Sequence, residues 1–396
     1  MNSTCIMLVA AEPSGDALGA GLVTALRARI GRDVRFVGAG GPLMAAQGVR
    51  SQFDIAPLSV LGVFDALRAY PLVRRRAREL GELAARERPD IAVLIDSWGF
   101  NLRVARSIRK ASPRVPIFKY VAPQVWATRP GRARTLAGAV DRLLTIHAFD
   151  APWFEKAGLP TKFVGNPVLS RDFSDATPAQ FRCEIGAEPD DPILVIAPGS
   201  RLGEVKRLLG PFGGAVSRLQ AERPGLKVVI LAAEAVSEEV AAGSAPWGAR
   251  VEIVRGEARH RSAMAAATAA LACSGTVTTE LAMAGTPVVV AYRLDAFTYP
   301  IARLLIRTPY ITLLNVAAGR EVAPEFIQDA CTGVRLADAL ASLLDAPSVR
   351  SRQVQEQFEA LQVMRGGIAD PLAAAADAVI AGLPARGAYA RASSGT

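Results

Sequence analysis

Strand-like apolar runs that alternate with helical patterns constrain this chain more than any other feature. "CIMLVAA" precedes a helical pattern from about Asp16 to Arg29, and "DVRFVGAGG" follows. "IAVLIDS" leads into a second helical pattern from Leu102 to Lys110, and "VPIFKYVAP", "RLLTIHAF" and "TKFVGNP" come after it. "PILVIAPGS", "LKVVILAA", "RVEIVRG", "ALACSG" and "TPVVVAYR" then repeat the scheme. Strands separated by helices are joined by crossovers, and crossovers build parallel, doubly wound sheets. Continuous Val/Ile/Leu runs, in place of strict alternation, mark strands covered on both faces. At 396 residues the chain exceeds what one core usually holds. The expected architecture is therefore α/β, with two doubly wound domains facing a central cleft. Their expected bounds are 1–170 and 192–365, with a polar linker at 171–191 and a C-terminal helix and frayed tail at 366–396.

Composition narrows the function classes. The net charge of +9 suits anionic partners: nucleic acid, anionic lipid or a phosphorylated substrate. No nucleic-acid module or aromatic–basic face is present, so nucleic acid is the weakest of these. No apolar run reaches the roughly 20 residues that span a bilayer. The N-terminal "CIMLVA" has no basic residues before it and leads into a Gly-containing turn, so it reads as a first strand and not as a signal peptide. A cytoplasmic protein is the expectation. The four cysteines are scattered and the histidines number two, so a metal site is not expected.

Five stretches carry candidate chemistry. In "AAEPSGDALGAGL", Ser14, Gly15 and Asp16 sit where a strand turns into a helix; the loop suits an acceptor, or Asp16 simply caps the helix. Asp96 ends the buried run "VLIDS", where a carboxylate can act as general base toward a hydroxyl or cap the next turn. "LSVLGVFDALRAYPLVRRRAREL" places Val60, Leu61, Val63, Phe64 and Leu67 before Arg74, Arg75 and Arg76. That order fits an anionic bilayer surface, although on residues alone an ordinary core helix with a basic end reads better. "IAPGSRLGEV" offers Gly199, Ser200 and Arg201 as an anion nest with a cation beside it. "LACSGTVTTELAMAGTPVVVAYR" puts Ser274, Gly275 and Thr276 at a helix start and Glu280 one turn on, a phosphate cradle with an acceptor group for a ribose diol.

Taken in order, these blocks resemble the lipid-A-disaccharide synthase family of GT-B glycosyltransferases. The resemblance runs from Ala10 to about Asp370 through "EPSGDALGAGL", "VGAGGPLMAAQG", "LSVLGVFDAL", "VLIDSWGFNL", "YVAPQVWA", "APGSRLGEV", "SGTVTTELAMAGTPVVVAYR" and "RTPYITLLNVAAGREVAPEFIQDACT". It implies an inverting transfer from UDP-2,3-diacylglucosamine to 2,3-diacylglucosamine 1-phosphate, giving a β-1,6 disaccharide 1-phosphate and UDP in lipid A biosynthesis, with no cofactor. It further implies Asp96 as base, Arg201 as catalytic cation, and Asn315, Arg320 and Glu321 on the UDP side. It assigns the 60–76 region to acyl chains and to the cytoplasmic face of the inner membrane. A homodimer formed by a C-terminal swap is implied as well. The chain departs from the family pattern at Ser97–Gly99, at Thr128 and at Asn166, all in the acceptor half. Another UDP-sugar glycosyltransferase, or an epimerase, with a different acceptor is the alternative.

Overall fold

The apolar runs become strands because each lies between helices that cover it on two sides. The computed structural model describes residues 3–31, 33–58, 63–248, 251–295, 299 and 308–384, and the backbone alone at 63–69. Contacts divide the chain into two units, 1–167 with 368–396 and 168–367.

The first unit holds β1 (Thr4–Val9), β2 (Val34–Ala39), β3 (Arg50–Ser51), β4 (Ile91–Ile95), β5 (Ile117–Tyr120), β6 (Arg142–Thr145) and β7 (Thr161–Phe163). They form one sheet in the order β3-β2-β1-β4-β5-β6-β7, and every pair is parallel. Alternate side chains feed two cores. Met7, Val9, Leu94 and Ile117 lie on one face, and Ile6, Leu8, Val93 and Phe118 on the other. The helix Val63–Glu87 buries Ala77, Leu80, Leu83 and Ala84, the i, i+3, i+6, i+7 stripe of a helix laid on a sheet.

The second unit holds β8 (Ile193–Ala197), β9 (Lys227–Leu231), β10 (Val251–Val254), β11 (Ala269–Cys273), β12 (Val288–Tyr292) and β13 (Glu325–Ile327), in the parallel order β10-β9-β8-β11-β12-β13. The 171–191 stretch belongs to this unit; it carries the helix Pro178–Glu184, whose Phe181 is buried beside Val195 and Ala270.

After Gly367 the chain rejoins the first unit. The helix Pro371–Ile380 packs on the helix Pro13–Ile30 and buries Ala375, Ala376 and Val379 in the same core as Leu22 and Leu26. Gly165 (φ +84°) is where this return is tightest. A Cβ there would lie 2.9 Å from Ile368 Cγ2 and 3.0 Å from Pro371 Cγ, so both backbone and space require glycine. The tail from Ala385 lies outside the described residues.

Candidate active site

Each sheet reverses its strand order once, the first between β1 and β4 and the second between β8 and β11. At such a reversal the loops leaving neighbouring strands diverge and open a crevice at their carboxyl ends. Both groups of candidate residues lie at these two places.

In the second unit a cavity of about 320 Å3 is lined by Gly199, Ser200 and Arg201 from the β8 exit and by Ser274, Gly275, Thr276 and Glu280 from the β11 exit. The helix Thr276–Met283 starts in its wall, and a helix start is a place where main-chain N–H groups can receive an anion. Gly199 has φ +113°, and a Cβ on it would stand 2.7 Å from Glu204 Oε2. Glu204 is buried, and Arg201 Nη1 donates to its Oε1 at 2.9 Å. The carboxylate thus fixes one side of a guanidinium that stays 60% exposed. Arg171 Nη1 donates to Glu280 Oε1, so the candidate diol acceptor is held by a guanidinium. Glu204, His260 and Met264 also line the cavity and escaped the sequence reading. For Glu204 a signal existed: an acid three residues after Arg201 shares its helix face.

Asn315, Arg320 and Glu321 are not among the residues lining this cavity. Asn315 is fully buried. Its Oδ1 accepts from Val322 N (2.7 Å) and Ala323 N (2.9 Å), and its Nδ2 donates to Ala323 O and Glu325 Oε1. Glu325 in turn accepts from Ile311 N and Thr312 N, and Ile311 O accepts from Ser274 Oγ at 3.3 Å. Asn315 therefore props the segment that Ser274 leans on. Arg320 and Glu321 are exposed, and Arg320 pairs with Glu356 and Glu359.

In the first unit Asp96 leaves β4 with φ +51° and Ser97 follows at φ +39°. Two successive non-glycine residues in the left-handed region are strained, and such strain gathers at functional sites. Ser14 Oγ, from the β1 exit, donates to Asp96 Oδ2 at 3.1 Å, and Gly15 follows it beside Asp96. Asn101 Nδ2 donates to the carbonyls of Ile95 (2.7 Å) and Asp96 (2.8 Å). Lys119, which the sequence reading passed over, donates to the carbonyls of Asp96 and Tyr120. Its burial pulls the ammonium down to about 8, opposed by the charges of Asp96 and Glu12.

Asp16, grouped in sequence with Ser14 and Gly15, is directed elsewhere. It is buried, and its carboxylate accepts from Gly41 N (2.8 Å), Leu43 N (2.9 Å) and Met44 N (3.0 Å). It caps the short helix Pro42–Ala46 and not its own helix. Further along the same sheet, Trp126 Nε1 donates to buried Asp150 at 2.9 Å. Burial pushes Asp150 up to about 7 against that bond, and burial holds His147 down to about 4.

Of the 60–76 candidates, Val60 and Leu61 lie outside the described residues. Val63, Phe64 and Leu67 belong to the helix Val63–Glu87, whose side chains are described from Tyr70 onward. Arg74 lies 6.0 Å from the exposed Tyr70 ring. Arg75 pairs with Glu79, and Arg76 pairs with Glu79 and covers Phe53. No helix among the described residues is long and apolar enough to cross a membrane.

Two parallel α/β sheets, each with candidate residues gathered at its strand-order reversal, define the GT-B fold class. Solved structures agree. The Staphylococcus aureus MnaA–UDP structure superposes with a TM-score of 0.63 over 95% of each chain at 13% identity. CalG4, the calicheamicin glycosyltransferase, superposes at 0.58 over 97% of this chain and 99% of that one, at 19% identity. At such identities the likeness is one of fold. The family is given by sequence: residues 6–376 match the Lipid-A-disaccharide synthetase family model. A lipid-A-disaccharide synthase from Rhodospirillum centenum is 40% identical over 380 residues, covering 96% of this chain and 95% of that protein. The chain belongs to the lipid-A-disaccharide synthase family, hexosyltransferases of lipid A biosynthesis.

Proposed function

We propose that the chain joins UDP-2,3-diacylglucosamine to 2,3-diacylglucosamine 1-phosphate, releasing UDP and a β-1,6-linked disaccharide 1-phosphate. The observation that carries this is the cavity at the β8/β11 reversal, where Arg201, the start of the helix Thr276–Met283 and Glu280 converge. The diphosphate lies against the N–H groups of 199–201 and 274–276. Arg201 takes the charge that grows on the leaving oxygen, the role of preorganised cations in such transfers. Glu280 accepts from the ribose diol once Arg171 yields it. Asp96 removes the proton from the acceptor 6-hydroxyl as that oxygen attacks C1 of the donor. The C1–O bond to UDP breaks on the opposite side, and C1 is inverted. Val60 to Arg76 meets acyl chains and anionic headgroups at the inner membrane. Two copies pair by exchanging the segment that here packs on its own helix Pro13–Ile30, a low-cost route to a dimer.

Purified protein given both substrates should form disaccharide and UDP in equal amounts. Asp96→Ala should abolish product while UDP binding, measured by calorimetry, stays within a few-fold. UDP release without disaccharide defeats the reaction assignment, and an active Asp96→Ala defeats the base. Sizing chromatography with and without residues 368–396 tests the exchanged dimer.

A further inference from the structure

Lys119 stands in the middle of β5, hydrogen-bonded in register between Leu94 of β4 and Leu143 of β6, and only 2% of its surface is exposed. A buried ammonium is costly unless its protons are well placed. No carboxylate lies within ion-pair distance of it among the described residues. Its donors go instead to two main-chain carbonyls, Asp96 O and Tyr120 O. Both mark strained exits from the sheet. Asp96 and Ser97 are left-handed, and Val121, directly after Tyr120, sits at φ +73°, where a β-branched residue is rarely found. Strain of this kind persists only where neighbours over-determine it. Asp96 O also accepts from Asn101, so that carbonyl has two donors. One cation thus ties the exits of β4 and β5 together beneath the Asp96 carboxylate. The charged groups bearing on it are Asp96 from the β4 exit and Glu12 from the β1 exit.

We propose that Lys119 is a positioning residue for sugar transfer, clamping the strained main chain of Asp96 and supplying positive charge behind its carboxylate. The inference rests on Asp96 acting as the base. Lys119→Met keeps the length of the stem and removes charge and donors. It should lower kcat about 100-fold, the scale of a misplaced reacting group, while KM for the UDP-sugar and the affinity for UDP stay unchanged. Lys119→Gln, which keeps an N–H donor for the carbonyls, serves if the methionine variant does not fold. It should show a smaller loss of kcat, since an N–H donor to the carbonyls remains. An unchanged kcat, or a KM or UDP affinity that changes along with it, overturns the inference. Activity that survives in Asp96→Ala alone overturns the base assignment instead, so the two failures are distinguishable.

Discussion

Glu280 offers the sharpest test of the nucleotide site, because its carboxylate already has a partner. Its side chain is 17% exposed, while Arg171, which donates to it, is 48% exposed. An ion pair that open contributes about 0–1 kcal/mol, and UDP must displace it. In return two ribose hydroxyls donate to a carboxylate in a partly dry pocket. Hydrogen bonds to a charged group contribute about 1.5–3 kcal/mol each, against about 1 for neutral partners. Glu280→Gln keeps the shape, loses the charge and has no Arg171 pair to break. The net loss is about 2 kcal/mol, or roughly 30-fold in Kd for UDP. Arg171→Ala acts in the opposite direction and should tighten UDP by up to about 5-fold, since the competing pair is gone. Calorimetry with UDP and with 2′,3′-dideoxy-UDP separates the diol from the phosphates. The wild type should discriminate between them, and Glu280→Gln should discriminate far less. If the dideoxy analogue binds the wild type as well as UDP does, Glu280 does not hold the ribose. If Glu280→Gln weakens both ligands equally, it acts on the pocket and not on the diol.

Four further outcomes follow from particular contacts. Gly199→Ala places a Cβ 2.7 Å from Glu204 Oε2 at φ +113°; it should lower stability by about 1–3 kcal/mol and weaken UDP by at least about 10-fold, and unchanged binding refutes the tight cradle. Asp150, raised from 3.8 to about 7, holds its proton more tightly folded than unfolded, so the stability it gives is full below about pH 4 and lost as pH rises through 7. Asp150→Asn keeps an acceptor for Trp126 and should match the wild type at pH 4 yet exceed it at pH 8 by up to about 4 kcal/mol; urea unfolding that shows the same difference at both pH values refutes this. His147 works in the reverse sense: held from 6.5 to about 4, it gives stability that is present above 6.5 and lost as pH falls through 4, so His147→Leu should shift acid unfolding to lower pH. Val379→Asp puts an unpaired charge into the first unit's core and should cost more than about 3 kcal/mol, lowering one calorimetric transition and sparing UDP binding; two equally shifted transitions count against independent units.

The parallel sheets were legible because the signal was redundant. Runs such as "PILVIAPGS" and "ALACSG" carry both the strand and its exit, and in a doubly wound sheet the exits nearest the strand reversal bear the site. Gly199 to Arg201 and Ser274 to Glu280 each read as an anion-suited strand exit, and in the structure they line one cavity. The segment from Asn315 to Glu321 shows the opposite case. The resemblance places it on the UDP side, yet Asn315 uses its whole amide on Ala323, Val322 and Glu325. Asp16 repeats the lesson: three of its acceptor positions go to backbone N–H groups of another helix. Polar groups at a loop satisfy the loop first, and sequence spacing cannot separate that from binding.

Lys119 marks the boundary of what a single strand can reveal. Within "IFKY" a lysine suggests an edge position, where its head would reach water. Only the pairing of β5 with β4 on one side and β6 on the other makes the strand central and the ammonium dry. Yet the sequence holds the contradiction in plain form: "VPIFKYVAP" is followed by "RLLTIHAF" and "TKFVGNP", and if those strands continue the sheet outward, β5 cannot be its edge. A charge that the topology forces inward must have donors to place, and here it places them on the backbone of Asp96. Local conflict between residue type and position therefore locates a supporting group that no motif contains, as expected where sequences trade local consistency for function.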